Sequence, residues 1–217
     1  DASPVERIEV ATLLLAREVG LNAPEARLML ETTNSPIGLI RRFDREGSAR
    51  IPYMSARTAL QRHGGEQGAY TELAGFIQQH SDNPRADLAE LWMRIVFTVL
   101  VTNTDDHLKN HGFIYAGDGQ WSLSQLFDVN PQPERHRLLK TAIIEGEAFE
   151  ASLEMAMEAA EYFSLSGPEA REMAGGMARK IHGSWQAIMR HHGLTGRDLD
   201  HLAPAFEHRE MEKALVL

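Results

Sequence analysis

The stretch Asn103-Thr104-Asp105-Asp106-His107-Leu108-Lys109-Asn110-His111 is a polar nonapeptide without apolar periodicity. It directly follows a segment, beginning after Pro84 and running to Leu100, whose apolar residues keep the spacing of a buried helical face. Short strand-like segments come next, at residues 112–116 and 121–123. The sequence therefore predicts a core helix, a loop and a hairpin, an arrangement in which rigid elements hold a loop that carries chemistry.

Two residues of this loop have a spacing that is typical of phosphoryl transfer. Asp105 and Asn110 are five residues apart, like the aspartate base and the magnesium-binding asparagine of kinase catalytic loops. Asp128 comes eighteen residues after Asn110, at the end of the predicted hairpin, where kinases place a second magnesium ligand. In this interpretation a carboxylate accepts the proton of the substrate hydroxyl, and oxygen ligands hold magnesium against nucleotide phosphates. The spacing alone is equally compatible with a surface loop that Asp105, Asp106 and Asn110 merely cap and turn.

Several segments together resemble the HipA-like serine/threonine kinases, the toxins of type II toxin–antitoxin systems. The signature consists of residues 103–111, Trp121-Ser122-Leu123-Ser124 and Phe127-Asp128-Val129-Asn130-Pro131. In addition, Leu39-Ile40-Arg41-Arg42-Phe43-Asp44-Arg45 is similar to the family's hinge strand, which contacts adenine, and residues 5–28 resemble the helix and strand before it. The resemblance covers nearly the whole chain and implies the C-terminal portion of such a kinase.

Carried over position by position, the resemblance implies that Asp105 is the catalytic base. The residues that it implies to contact the nucleotide lie in the hinge, in the loop and beside Asp128: Arg41, Arg42, Phe43, His107, Lys109, Asn110, Phe127 and Asp128. Asn110 and Asp128 are the implied magnesium ligands, so the implied cofactors are ATP and Mg²⁺. Glu9 falls where the first helix would place the glutamate partner of the phosphate-binding lysine.

Two positions depart from the family pattern, and one part of the pattern is not found in the sequence. Val129 follows Asp128 where many kinases have the glycine of Asp-Phe-Gly, so regulation by a flipping phenylalanine is not implied. Gln125 replaces an expected proline, and we expect it to loosen the approach to Asp128. The glycine-rich loop and its lysine should precede residue 1, so we expect a fragment that binds nucleotide weakly and phosphorylates poorly by itself.

The composition limits the class of protein. The chain has 217 residues, 43% of them hydrophobic, enough for one core or two small lobes that share a seam. It contains no cysteine, which excludes disulfides, thiolate zinc sites and a cysteine nucleophile, and makes the cytoplasm the expected location. Its net charge of −9 argues against direct nucleic-acid binding. No apolar run is long enough for a membrane span.

The predicted fold is mainly α with a small antiparallel β portion, a protein-kinase-like C-lobe plus a remnant of the N-lobe. Residues 1–50 are expected to form the partial N-lobe, with a helix and then strands at residues 26–32 and 37–43. Residues 51–217 are expected to form the helical C-lobe with the catalytic loop. Within it the patterns predict short helices at residues 55–62 and 70–80.

The region after Pro131 is expected to be helical throughout. It includes a long amphipathic segment with Met173, Met177 and Trp185 on one face, where the methionines are core filler. The acidic run at residues 145–161 is interpreted as a solvated helix face.

Three alternatives to a protein kinase stay open. Aspartates together with His107 and His111 would suit a metallohydrolase, a truncated kinase lobe would suit a non-catalytic module that binds an antitoxin, and a small-molecule kinase would share the loop. For the kinase itself, the expected partners are a protein substrate and a HipB-like antitoxin. By family analogy the substrate is a translation enzyme such as an aminoacyl-tRNA synthetase, a weak argument because fold and loop do not define a substrate.

Overall fold

A computed structural model describes residues 4–31, 33, 36–134 and 136–217 of the chain. Its helices are α1 (Val5–Glu18), α2 (Ala56–Ala59), α3 (Tyr70–His80), α4 (Pro84–Leu100), α5 (Leu153–Glu158), a 3₁₀ helix (Ala159–Phe163), α6 (Gly167–His191), α7 (Gly196–Phe206) and α8 (Arg209–Leu215). Its strands are β1 (Ala26–Met29), β2 (Ile37–Ile40), β3 (Arg45–Glu46), β4 (Ala49–Arg50), β5 (Tyr53–Ser55), β6 (Gly112–Gly117) and β7 (Gln120–Leu123). The predicted fold class, mainly α with small antiparallel sheets, is confirmed.

Helix α4 lies in the middle of the core and ends where the polar loop begins. It packs against α3, α5, α6, α8, the 3₁₀ helix and β7. Residues 94–100 are all buried, as expected for a helix that is surrounded by other elements. Because α4 is held on all sides, the loop that follows it starts from a fixed point.

Two large polar side chains of α4, Trp92 and Arg94, are buried and form hydrogen bonds. The indole N–H of Trp92 donates to the carbonyl of Ala156 at 2.8 Å. The fully buried Arg94 forms an ion pair with Glu90 at 2.8 Å and donates to the carbonyl of Ser124 at 2.7 Å. These bonds offset part of the cost of burying a tryptophan N–H and a guanidinium. They also connect α4 to the segment that leads to Asp128.

The strands form three small antiparallel sheets, in the pairings β1–β2, β3–β4 and β5–β6–β7. The strands predicted at residues 26–32 and 37–43 are present but shorter, as β1 and β2. The turn predicted between them, at residues 33–36, includes Asn34 and Ser35, which lie outside the described residues. The β3–β4 pair was not predicted.

Strand β5 was also missed, and the helix predicted at residues 55–62 is only one turn, α2. Ser55 both ends β5 and caps α2, since its side-chain oxygen accepts the N–H of Thr58 at 3.2 Å. Tyr53 of β5 lies across Gly112 of β6, where an added Cβ would come within 2.3 Å of the tyrosine ring. This pairing joins residues far apart in the chain, so local periodicity could not indicate it.

The prediction that the chain is helical throughout after Pro131 was wrong. Residues 131–134 and 136–152 contain no helix, and the backbone there bonds to distant segments instead. For example, the N–H of Tyr70 donates to the carbonyl of Ala142 at 2.8 Å, and the N–H of Ala142 donates to that of Gly68 at 2.9 Å. Pro131 and Pro133 lack the N–H groups that a helix uses, which favours this irregular course. The acidic run is therefore helical only from residue 153 onward.

The core is continuous across the boundary predicted near residue 50. Helix α1 packs against α6, and Arg7 donates to the carbonyl of His192 at 2.8 Å. On the predicted amphipathic helix, Met177 and Trp185 are buried, and the Trp185 ring stacks on Phe206 with centroids 4.5 Å apart. The methionines thus fill the core as predicted, and the lobe boundary stays a prediction.

His208 precedes α8 and is buried in its neutral form. It is 8% exposed, its Nε2–H donates to the carbonyl of Leu100 at 3.1 Å, and its Nδ1 accepts the N–H of Met211 at 3.2 Å. Burial, reinforced by the positive charge of Arg137, lowers the pKa of His208 to about 4.

His208 is expected to make the protein less stable as the pH falls from about 6.5, the usual histidine pKa, to about 4. Between these pH values His208 is protonated in the unfolded state but not in the folded state, so about 3 kcal/mol of the free energy of unfolding is lost. Urea unfolding of wild type and His208→Gln at pH 7, 5.5 and 4.5 measures this loss. The exposed His182→Gln is the matched control and should follow wild type, whereas an unchanged pH dependence in His208→Gln would contradict the assignment.

Candidate active site

The nonapeptide at residues 103–111 is an irregular loop at the C-terminal end of α4. The helix ends at Leu100, and Thr102, two residues later, has a left-handed backbone with φ of 53°. The hydroxyl of Thr102 donates to the carbonyl of Ala205 in α7 at 2.9 Å, and the N–H of Asn103 donates to the carbonyl of Thr98 at 3.0 Å. The start of the loop is therefore fixed to two helices.

Asp105 and Asn110, which were paired by their spacing, are linked in the structure. Asp105 is exposed, whereas Asn110 is buried. The side-chain N–H of Asn110 donates to the carbonyl of Asp105 at 3.3 Å, and its backbone N–H donates to the carbonyl of His107 at 2.8 Å. Within the described residues the side-chain oxygen of Asn110 accepts no hydrogen bond. The loop thus offers an accessible carboxylate beside a fixed carboxamide with a free oxygen.

Asp106 is buried, whereas its neighbour Asp105 is exposed. It is 3% exposed, and Nε2 of His111 lies 3.0 Å from its Oδ1. The hydroxyls of Tyr70 and Thr98 both donate to its Oδ2, the latter at 3.1 Å. Burial by itself raises the pKa of Asp106, but the charge and hydrogen bond of His111 and the two hydroxyls outweigh it and lower that pKa. Burial, and then the charge of Asp106, raise the pKa of Tyr70 well above its usual value.

Sequence reasoning missed this buried anchor. It gave Asp106 no role except that of a loop-capping residue in the alternative interpretation, and it did not connect Asp106 to Tyr70 of α3. No pattern in the sequence distinguished the buried aspartate from its exposed neighbour, because residues of an irregular loop have no fixed periodicity. Finding the partners required the tertiary structure.

Asp128 is held close to the same loop through an asparagine. It is exposed and has a left-handed backbone with φ of 56°. The side-chain N–H of Asn130 donates to Oδ1 of Asp128 at 3.1 Å, while the backbone N–H of Asn130 donates to Oδ1 of Asn103 at 3.2 Å. The structure therefore connects Asp128 with the segment that carries Asp105 and Asn110.

The expectation that Gln125 loosens the approach to Asp128 was wrong. The side-chain N–H of Gln125 donates to Oδ1 of Asn22 at 3.1 Å, and the backbone N–H of Leu126 donates to the carbonyl of Asn22 at 2.8 Å. Asn22 is itself bonded through its N–H to Glu90 of α4 at 3.1 Å. A glutamine supplies a side-chain hydrogen bond that proline cannot, so this segment is anchored.

Glu9 of α1 is close enough to Asp128 to sense its charge. Burial raises the pKa of Glu9, and the negative charges of Asp128 and then Glu6 raise it further. A cation placed near Glu9 and Asp128 would relieve this repulsion. The role expected for Glu9 stays a prediction, since the lysine partner of the family pattern is not found in this sequence.

The hinge residues and Phe127 line one aromatic cavity of about 350 Å³. The Phe43 ring centroid is 5.6 Å from that of Phe127 and 5.9 Å from that of Tyr53. The complete lining is Pro24, Ile40, Arg41, Arg42, Phe43, Asp44, Tyr53 and Phe127. Tyr53 was not predicted to belong to this site, because the strand that carries it was missed.

The arginine side chains of the hinge are engaged in ion pairs. Arg41 pairs with Glu25 at 3.2 Å, and its backbone N–H donates to the carbonyl of Glu25 at 2.8 Å. Arg42 binds both carboxylate oxygens of Asp44, at 2.8 and 2.6 Å, and this contact, helped by Arg45, lowers the pKa of Asp44 to about 2. Among the described residues the backbone groups of Arg42 and Phe43 form no hydrogen bond, so they are free to meet a ligand.

His107 and Lys109, also predicted to contact nucleotide, do not line the aromatic cavity. They border a separate cavity of about 290 Å³ that shares no lining residue with the aromatic cavity. The structure therefore groups the predicted residues in three places: the hinge with Phe127, the loop with Asp128, and this second cavity.

The histidines do not assemble a metal centre. Within the described residues, no group of three or more His, Asp or Glu side chains is placed to hold a metal ion. His111 contacts the buried Asp106, so it does not join His107 as the metallohydrolase alternative requires.

No helix in the described part of the chain has the length and apolar character needed to cross a membrane.

Two curated relatives match part of the chain. A protein named "Putative kinase" from Haemophilus influenzae is 30% identical over 143 residues, which cover 58% of this chain and 42% of that protein. "Putative kinase Y4dM" from Sinorhizobium fredii is 30% identical over 141 residues, which cover 58% of this chain and 34% of that protein. The matches thus span less than half the length of these relatives.

Solved structures are similar over the whole chain. A structure of the toxin–antitoxin system HipA, HipB and its operator DNA from Shewanella oneidensis MR-1 matches with a TM-score of 0.78 at 16% identity, covering 100% of this chain and 55% of that one. The proinflammatory kinase CtkA of Helicobacter pylori matches with a TM-score of 0.71 at 12% identity, covering 100% of this chain and 88% of that one. At these identities the likeness shows the fold alone, which is kinase-like.

The family itself is identified at the level of sequence, where the model of the HipA-like C-terminal domain matches residues 1–185. This match includes the hinge, the loop at residues 103–111 and the segment around Asp128, so the chain belongs to the HipA-like C-terminal domain family.

Proposed function

We propose that the chain supplies the catalytic and magnesium-binding part of an ATP-dependent kinase that phosphorylates a serine or threonine of a protein. The observation that carries the proposal is the linked set of Asp105, Asn110 and Asp128, two accessible carboxylates and a fixed carboxamide joined through Asn103 and Asn130. The membership of the chain in the HipA-like family and its kinase-like fold support the same reaction class.

Asp105 is the proposed base. Its exposed carboxylate accepts the proton of the substrate hydroxyl as the oxygen forms its bond to the γ-phosphorus of ATP and the bond from that phosphorus to the β–γ bridging oxygen breaks, releasing ADP. The Asn110 amide holds the backbone of Asp105 from one side. Catalysis in this scheme comes from positioning and charge rather than from a covalent intermediate.

The donor set fits magnesium. Asn110 has an amide oxygen without a partner in the described residues, and Asp128 has a carboxylate of which one oxygen accepts a bond from Asn130. Such hard oxygen ligands, completed by water and nucleotide phosphates, are what Mg²⁺ prefers. When bound, the ion would neutralise charge on the phosphates. Asn110 and Asp128 would hold it, and Glu9 is proposed to hold a cationic group beside Asp128.

The aromatic cavity is the proposed adenine site. Phe43, Tyr53 and Phe127 supply flat apolar surface, and the free backbone groups of Arg42 and Phe43 supply hydrogen bonds to the edge of the base. The side chains of Arg41 and Arg42 act here by fixing the hinge through Glu25 and Asp44. His107 and Lys109 are proposed to face the acceptor side of the transferred group.

A HipB-like antitoxin is the proposed partner, in analogy to the HipA and HipB complex whose structure resembles this chain. With a net charge of −9, we expect the chain itself not to contact nucleic acid directly. The alternative of a non-catalytic module that binds an antitoxin rests on the same likeness. A cytoplasmic location and an aminoacyl-tRNA synthetase as substrate stay predictions.

Substitution of the two carboxylates should separate binding from chemistry. Asp128→Asn is expected to abolish the strengthening of nucleotide binding by Mg²⁺, because it removes a charged oxygen ligand, as measured by calorimetric titration with a nonhydrolysable ATP analogue. Asp105→Asn should leave that binding within about twofold but lower ADP production from ATP by at least about a hundredfold.

The matched control for both variants is Asp118→Asn, in the exposed turn between β6 and β7. It should change neither quantity, since asparagine tolerates the left-handed backbone there as aspartate does. Magnesium-dependent binding that survives in Asp128→Asn would refute the assigned metal site. An unimpaired Asp105→Asn would refute the assigned base.

Removal of an aromatic ring should weaken nucleotide binding without changing its dependence on magnesium. Phe43→Ala is expected to weaken binding of the ATP analogue at least about fivefold, since stacking of one base on a ring contributes about 1–3 kcal/mol. Tyr162→Ala, an exposed ring outside the cavity, is the control. Equal binding by Phe43→Ala and wild type would place adenine elsewhere.

A further inference from the structure

The cavity beside the catalytic loop has a lining that nucleotide binding does not explain. It encloses about 290 Å³ and lies where three segments meet: α2 with the glycine-containing loop after it, the loop at residues 103–111, and the irregular segment after Asp128. The residues that line it include four that are basic or can be: Arg57, His107, Lys109 and Lys140.

The loop after α2 is fastened to the catalytic loop by Arg57. Its backbone N–H donates to the carbonyl of Leu108 at 3.2 Å, and its guanidinium donates to the carbonyls of Arg62, at 3.3 Å, and Gly64. Gly68 then passes so close to Leu108 that an added Cβ would lie 2.9 Å from that side chain. One arginine therefore shapes this side of the cavity.

The segment after Asp128 closes the other side. Thr141 donates from its hydroxyl to the carbonyl of the buried Asp106 at 2.9 Å, and Ala142 exchanges backbone hydrogen bonds with Gly68 and Tyr70. Lys140 stands next to these anchored residues and is exposed at the rim. The positions of the backbone around the cavity are thus set by specific bonds on every side.

The charge of the cavity is positive although the whole chain is acidic. Lys109 and Lys140 are both exposed and form no ion pair within the described residues. Glu66 is the carboxylate that lines the cavity, and one of its oxygens accepts the N–H of His63 at 2.9 Å. A Cβ added at Gly64 or Gly65 would contact no neighbouring atom, so the backbone is open on that side. Such a surface attracts an anionic group.

We propose that this cavity binds an anionic side chain, a carboxylate or a phosphorylated residue, of the polypeptide whose hydroxyl is presented to Asp105. The proposal rests on the proposed kinase function and specifies its substrate class: a serine or threonine with an acidic or phosphorylated residue a few positions away. His107 and Lys109 lie two and four residues from Asp105 in the same loop, so an extended peptide at Asp105 reaches the cavity within a few residues.

The test measures peptide binding without nucleotide, by fluorescence anisotropy at low salt. Three labelled peptides contain the same serine, flanked by glutamates, by phosphoserines or by lysines. The glutamate and phosphoserine peptides are expected to bind, and the lysine peptide is not. Which of the first two binds more tightly shows whether the cavity prefers a carboxylate or a phosphate. Lys140→Glu should weaken binding at least about tenfold, because it reverses a charge at the rim.

The matched control is Lys180→Glu, which makes the same charge change on the exposed face of α6 and should stay within about twofold of wild type. Equal weakening by both variants would show attraction by net charge alone and overturn the site, as would equal binding of the lysine peptide. Nucleotide binding is measured separately. If the acidic peptides bind, and their binding depends on Lys140, but the chain binds no nucleotide, the proposed kinase function is overturned and the anion site is retained.

Discussion

The candidate site depends on the contacts that hold the buried carboxylate of Asp106. A carboxylate that is 3% exposed is tolerated only because Nε2 of His111 lies 3.0 Å away and the hydroxyls of Tyr70 and Thr98 donate to it. Removal of one partner of such a buried pair costs on the order of 3–5 kcal/mol, so the loop has little freedom to turn Asp106 outward. With Asp106 fixed inward, Asp105 next to it is held facing solvent.

The rest of the site is built outward from this point by asparagine side chains and by the end of α4. Asn110 returns to the carbonyl of Asp105, and Asn103 receives the N–H of Asn130, whose amide in turn holds Asp128. Carboxamides can donate and accept at the same time, so they connect segments without adding charge to a site that already holds several carboxylates. Through Asp106, the same anchor also fixes Thr141 and one wall of the basic cavity.

The sequence was sufficient for the helical core, the loop and the residues grouped around it, because apolar periodicity and residue spacing are local properties. It was insufficient wherever a residue is defined by a distant partner. Tyr53 lines the aromatic cavity because β5 pairs with β6. Tyr70, which donates to Asp106, lies in α3, far from the loop in sequence. The segment after Pro131 is irregular because its backbone forms hydrogen bonds with Gly68 and Tyr70, and no pattern within the segment predicts those bonds.

The most direct test of the account is whether a divalent cation sits between Asn110 and Asp128 when nucleotide is present. Mn²⁺ can replace Mg²⁺ and broadens the NMR signals of nearby amides. With a nonhydrolysable ATP analogue and Mn²⁺, selective broadening is predicted for the backbone amides of Asn110 and Asp128, and far less at Arg85, which lies at the opposite end of α4 from the loop. Broadening that is absent at both residues, or that is the same without nucleotide, would contradict it.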